Sequence, residues 1–117
     1  MNRRIESRRF PYLPLTLELA GRTLFLDARI DTGFDGHVIL PADLIPRNLP
    51  RDGELPWVLA DGSAISAPFY YGSIILGALG AYPAVINVLG AEALLGSGII
   101  GLLRVVFDHG ERVLVEP

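Results

Sequence analysis

The chain has no cysteine. Disulfide staples, thiol catalysis and zinc–thiolate sites are therefore excluded, and a reducing cytoplasm suits it. Charge is scarce: 20% of the 117 residues are charged, and the net charge is −3. That balance leaves no basic footprint for nucleic acid. Arg3, Arg4, Arg8 and Arg9 cluster early, but four basic residues read as a solvated, frayed arm. Histidine is limited to His37 and His109. Asp35-x-His37 therefore lacks the further ligands a metal site needs, and His37 reads as a solvated loop residue. The residues around Phe10, Pro11 and Tyr12 lack the apolar core of a signal peptide. Long apolar runs are missing too. Ser73–Leu103 carries one charge, Glu92, yet Gly77, Gly80, Pro83, Gly90, Gly96, Gly98 and Gly101 cut it into pieces too short for a membrane helix.

What is abundant is apolar surface, at 50% of residues. That composition and length give one globular domain, and for so small a domain they suggest surface buried against a partner subunit. Residues 1–12 read as an arm, flexible or at a dimer interface, and 13–117 as a single domain. Strands are expected at Leu13–Leu19, Arg22–Ile30, Val38–Leu40, Trp57–Leu59, Ile65–Leu76, Tyr82–Val88 and Val113–Glu116. "LELAGRTLFLDARI" reads as a hairpin around Ala20–Gly21, with Leu24, Leu26 and Ala28 on one face and Phe25, Asp27 and Arg29 on the other. Asp61–Gly62 signals a second hairpin, and Ala78–Tyr82 a further turn. Ala42–Ile45 suggests a helical turn stopped by Pro46. "GSGIIGLLRVVFD" has the spacing of a two-turn helix with Ser97 as N-cap, although Val105–Phe107 also suits a strand. "FDHGERVLVE" closes the chain as a hairpin. Many short strands, Gly-rich turns and one short C-terminal helix give an all-β barrel or sandwich. "ARIDTG" and "EALLG" echo each other, each ending an apolar run at a glycine, as two related halves of one sheet system would.

The chemically distinctive stretch is "FLDARIDTGFDGHVIL". A carboxylate at the end of so apolar a strand is costly unless it is used. Asp31 is either a turn former, like Asp35–Gly36 beside it, or the group the strand presents. By the same weighing Asp27 and Glu92 read as surface charges, and Trp57, Tyr70 and Tyr71 as core or interface aromatics. Asp61 is balanced between a turn role and a contact to substrate.

"IDTGFDGHVILP" resembles the active-site segment of retropepsin-like aspartic proteases, in particular the small bacterial and archaeal group reading Asp-Thr-Gly-Phe. Three further segments follow the same order: "LADGS" resembles the flap hairpin, "LLGSGII" the apolar-apolar-Gly loop entering the helix, and "FDHGERVLVE" the terminal hairpin. The resemblance covers residues 13–116. It implies a retropepsin-like fold and an aspartic endopeptidase in which two Asp31 carboxylates, paired across a homodimer, activate water, with no cofactor or metal. Two like charges so close cannot both ionise easily, so the pair shares a proton. By this likeness Thr32 and Gly33 support the catalytic loop, while Phe34, Asp35, Gly36, Ala60, Asp61 and Gly62 bind substrate. Leu94, Leu95 and Gly96 pack beneath the loop. Phe34 replaces the small residue of the retroviral pattern and would narrow the cleft. Ser97 removes the ion pair that many relatives make after Gly96. The implied partners are a peptide or protein substrate and a second copy of the chain, without nucleic acid or membrane, in the cytoplasm. The alternative is a non-catalytic dimeric peptide-binding module of the same fold, since fold does not guarantee function. A third is a structural dimer without an open cleft.

Overall fold

A computed structural model describes residues 3–117; Met1 and Asn2, in the expected arm, lie outside the described residues. Ten strands form two sheets. The larger contains β2 (Tyr12–Leu19), β3 (Arg22–Asp31), β4 (Val38–Leu40), β5 (Gly53–Val58), β6 (Ala64–Ile75), β7 (Ala81–Val88) and β8 (Leu94–Gly96). Its order is β2-β3-β8-β4-β7-β6-β5, and β2 also pairs with β6 through Thr16–Ile75, Leu17–Ile74 and Glu18–Ser73. That second pairing closes six strands into a barrel and leaves β5 outside as a free edge. Closure depends on Gly72, where a Cβ would stand 2.6 Å from the Glu18 carbonyl oxygen. The smaller sheet is β1 (Ile5–Ser7), β10 (Arg112–Glu116) and β9 (Arg104–Asp108), all antiparallel.

The alternation in the sequence explains how the barrel fills. Leu13, Leu15, Leu17 and Leu19 of β2 all turn inward, and Ala28 and Ile30 of β3 join them. Phe25 turns outward and is 83% exposed. Both hairpins at Ala20–Gly21 and His109–Gly110 turn on two consecutive residues with positive φ, the backbone that matches strand twist. Val113 and Val115 of β10 are fully buried and tie the small sheet to the same core. The helical turn Ala42–Leu44 ends at Ile45, which is extended, as a residue before proline should be.

Three local expectations are corrected. The chain before residue 13 is more than an arm, because Ile5–Ser7 pair with Val113–Val115 and Arg9 pairs with Asp27. β5 begins at Gly53 and not at Trp57; Pro56, which argues against a strand, is tolerated since β5 pairs only with β6. Helix α1 spans only Ser97–Ile100, and its cap is Gly96 without a side-chain bond, not Ser97. The helix stops after one turn because the chain must swing at Gly101–Leu103 into β9, which settles Val105–Phe107 as strand. Asp27 and Glu92 are surface charges as expected, and both are paired: Asp27 with Arg9, and Glu92 with Arg29 at 2.7 Å.

The small sheet carries an ionic cluster with a definite pH dependence. Arg112 spans it, donating to Asp108 on β9 and, at 3.0 Å, to Glu6 on β1. These bonds hold the Glu6 and Asp108 carboxyls below their ordinary values, with His109 adding to the effect at Asp108. Carboxyls depressed by folding stabilise the folded state above their unfolded values, about 4, and lose that contribution as pH falls through the folded ones. Amide-exchange protection in β1 and β9, relative to the intrinsic rate at each pH, should therefore fall below about pH 4. Arg112→Met should flatten that acid response; an unchanged response would show that Arg112 does not carry it.

Candidate active site

Asp31 is the last residue of β3, and the chain turns immediately after it, with the Phe34 N–H donating to the Asp31 carbonyl at 3.2 Å. The carboxylate is half-buried and accepts the Gly33 N–H at 2.9 Å. Gly33 has a steric role as well, since a Cβ there would sit 3.3 Å from Asp31 Oδ1. Thr32 and Gly33 are exposed at the tip of the turn.

The second wall of the site is β8. It runs parallel to β3 in the register Arg29–Leu94, Ile30–Leu95 and Asp31–Gly96. The two segments that echo each other in sequence thus lie side by side, with Gly96 level with Asp31. Leu95 is fully buried in the core. Three backbone bonds then lock the two loops together: Gly96 N–H to His37 O at 2.8 Å, Ser97 N–H to Phe34 O at 2.8 Å, and Gly98 N–H to Gly36 O at 2.9 Å.

Phe34 lies inside this lattice and is only 7% exposed. Its ring rests on bare backbone: a Cβ on Gly36 would stand 2.5 Å from Phe34 Cζ, and one on Gly96 2.5 Å from Cδ2. The ring also meets Trp57 of β5, with centroids 5.7 Å apart and planes tilted by 42°. Phe34 therefore joins the Asp31 loop to the end of β5 that leads into the β5–β6 turn. Between the two lies an open cavity of about 550 Å³, lined by Phe34, Asp35, Gly36, His37, Trp57 and Asn87 among others.

His37 departs from the sequence reading. It is half-buried, and its Nδ1 accepts the Val85 N–H at 2.9 Å, so it braces the loop against β7 and is no solvated loop residue. A neutral ring accepting at Nδ1 carries its proton on Nε2.

The β5–β6 turn stands apart from this cluster. Ala60, Asp61 and Gly62 are exposed, and among the described residues their hydrogen bonds stay within residues 59–63. Asp61 Oδ1 accepts both the backbone N–H of Ser63, at 2.9 Å, and its hydroxyl, at 2.6 Å. These bonds pull the Asp61 carboxyl below its ordinary range. In this state Asp61 holds the turn. The structure therefore gathers Asp31, Gly33, Phe34, Asp35, Gly36 and Gly96 into one site and leaves the hairpin tip outside it.

Three contributors were not read from the sequence as site residues: His37, Trp57 and Asn87. Asn87 had a visible signal, a carboxamide in the apolar strand "AVINVL", where buried polar residues need a reason.

Comparison with known proteins supports the fold. No protein-family model matches the chain, and no curated protein is similar to it in sequence. Among solved structures, the fold is similar to the crystal structure of a retropepsin-like aspartic protease from Rickettsia conorii. The TM-score is 0.62 and the identity 14%, over 98% of this chain and 92% of that one. With no helix among the described residues long and apolar enough to cross a membrane, and with β3 and β8 meeting at Asp31 and Gly96 inside a closed barrel, the chain has the all-β, retropepsin-like fold.

Proposed function

We propose that the protein is an aspartic endopeptidase that works as a homodimer, with one Asp31 from each protomer. The observation that carries this is the placement of Asp31 at the mouth of the barrel. There, among the described residues, only the Gly33 N–H bonds its carboxylate. A carboxylate held by a single backbone donor keeps lone pairs for a water and for a second carboxyl. In the dyad, the ionised Asp31 takes a proton from water as the oxygen attacks the scissile carbonyl. The protonated Asp31 donates to the carbonyl oxygen, and collapse of the adduct delivers a proton to the leaving nitrogen. Thr32 would hydrogen-bond across the two-fold axis, and Gly33 would leave room for the opposing loop.

A second copy also accounts for apolar surface beside the loop. Thr32, Ser97, Leu103, Val105 and Phe107 line an open depression, and Leu102 next to it is 63% exposed. Apolar surface of this kind, contiguous with an incomplete site, suits a self-complementary interface. The hairpin would close over an extended peptide, which could add as a strand to the free edge of β5. Phe34, Asp35 and Gly36 would meet the substrate from the loop side, and Ala60, Asp61 and Gly62 from the hairpin. The chemistry needs no metal or cofactor, and the cysteine-free sequence suits the cytoplasm.

The test is digestion of a diverse peptide library across acidic to neutral pH, with the oligomeric state followed in parallel by sedimentation. Cleavage with a bell-shaped pH profile on the acid side of neutral, rising with the dimer fraction, is the expected result. A strictly monomeric protein that cleaves would overturn the dyad. A folded dimer that binds peptides without cleaving any would instead establish the non-catalytic binding module.

A further inference from the structure

The cavity between the Asp31 loop and β5 is lined by two residues that each carry a buried polar atom with no partner. Trp57 Nε1 and Asn87 Oδ1 are buried, and neither has a hydrogen bond among the described residues. Both belong to side chains that line this cavity. Asn87 is only 3% exposed, and its orientation is set by the Nδ2 group donating to Val38 O at 3.5 Å. Its oxygen is thus the atom left over. A buried donor and a buried acceptor without partners are each costly. Sharing one cavity, they describe the group that would satisfy both.

We infer that this cavity is a specificity pocket for a primary carboxamide, the side chain of Gln or Asn in a bound peptide. A carboxamide offers NH₂ donors to Asn87 Oδ1 and a carbonyl acceptor to the Trp57 N–H on one carbon, where a hydroxyl must do both through one oxygen and a neutral imidazole through two separate ring nitrogens. Lys and Arg only donate, so the indole N–H would stay unpaired. Glu and Asp, ionised, only accept; they would leave Asn87 Oδ1 unpaired and would face Asp35 in the same cavity. Leu and Met would bury against Phe34, Trp57 and Leu55 but would leave both polar atoms as they are. The volume of about 550 Å³ accommodates a Gln side chain with the adjoining backbone. Both atoms are covered in the free chain, so an entering amide must turn the Trp57 indole and shift the Asn87 carboxamide to bond them. Trp57 is the only tryptophan, which makes that movement observable.

This inference rests on the peptide-binding reading of the site but not on catalysis. The experiment uses full-length Asp31→Asn protein and fluorescein-labelled octapeptide pools, each fixed at one position as Gln, Asn, Glu, Leu or Lys and randomised elsewhere. Anisotropy should show an amide-fixed pool binding about tenfold more tightly than its Leu and Glu counterparts, with a change in Trp57 emission. Asn87→Leu should reduce that preference to within about twofold. Should that variant fail to fold, Trp57→Phe keeps the ring, removes the donor and should erode the same preference. A Leu or Glu preference in the parent, an amide preference untouched by both variants, or no binding by any pool would each overturn the inference. Wild-type cleavage without amide preference would sink the pocket and spare the protease. Selective binding without wild-type cleavage would do the reverse.

Discussion

Asp31→Asn is expected to lower peptide hydrolysis by about a thousandfold or more, with little change in thermal stability. The amide keeps an oxygen to accept the Gly33 N–H, the only bond that reaches the Asp31 carboxylate from the described residues, so the loop should keep its shape. What disappears is the ionisable pair. A mixing experiment makes the result specific to the proposed dyad. If each site takes one Asp31 from each protomer, exchange of equal amounts of wild type and Asp31→Asn leaves only about a quarter of dimers with two aspartates. Specific activity per total protein should fall to that fraction, since neither the mixed nor the double-Asn dimer can share a proton between carboxyls. If each protomer were a complete enzyme, the mixture would keep about half. A fall to about half would therefore end the shared-site mechanism even if the homodimeric variant were inert.

The second large effect is expected at Gly96. A Cβ there would lie 2.3 Å from Gly36 O, 2.5 Å from Phe34 Cδ2 and 2.7 Å from Phe34 O. Two of those three atoms are backbone, and both carbonyls already accept hydrogen bonds, from Gly98 and Ser97. Nothing nearby can step aside cheaply. Gly96→Val should cost about 3 kcal/mol or more by urea denaturation, at the upper end of overpacking effects, and should abolish activity in whatever fraction folds. Gly90→Ala is the control. Gly90 has φ +69° but open space around it, so only the backbone is strained and the loss should be about 1 kcal/mol. Equal losses at the two positions would mean that the contact between the loops is looser than these distances require.

The sequence was most legible where one local rule decides the structure. Alternating leucines define β2, and the pair Ala20–Gly21 defines the turn into β3. Ile45 before Pro46 ends the helical turn. Asp31 stood out for a comparable reason, a carboxylate at the end of an apolar strand followed by glycine. What stayed hidden depends on partners distant in the chain. Ile5–Ser7 have no strand-like alternation, and their pairing with β10 comes from the other end of the sequence. Pro56 obscures β5 because a sequence does not state which strand is an edge. His37 looks solvated until Val85 is brought to its Nδ1. Phe34, read as a residue that narrows the cleft, is mostly sunk against Gly36 and Gly96, a fit that spacing alone does not reveal. The pair of unpartnered atoms on Trp57 and Asn87 is the least legible feature, because it exists only once β5 and β7 face the same cavity.

The register of β3 with β8 has a consequence for how the protein comes into being. Asp31 takes its place only beside Gly96, and the loop around it is held by amides as far along the chain as Gly98. A nascent chain still lacking β8 has the Asp31 segment but no lattice to fix it. The last sheet waits longer still, because Ile5 pairs with Val115. Contacts this distant in sequence form late and slowly. On the proposed mechanism a second finished copy must then be found. Hydrolytic competence would thus arrive only after β10 has been made and two chains have met, a delay that keeps an unfinished protease inert beside the ribosome.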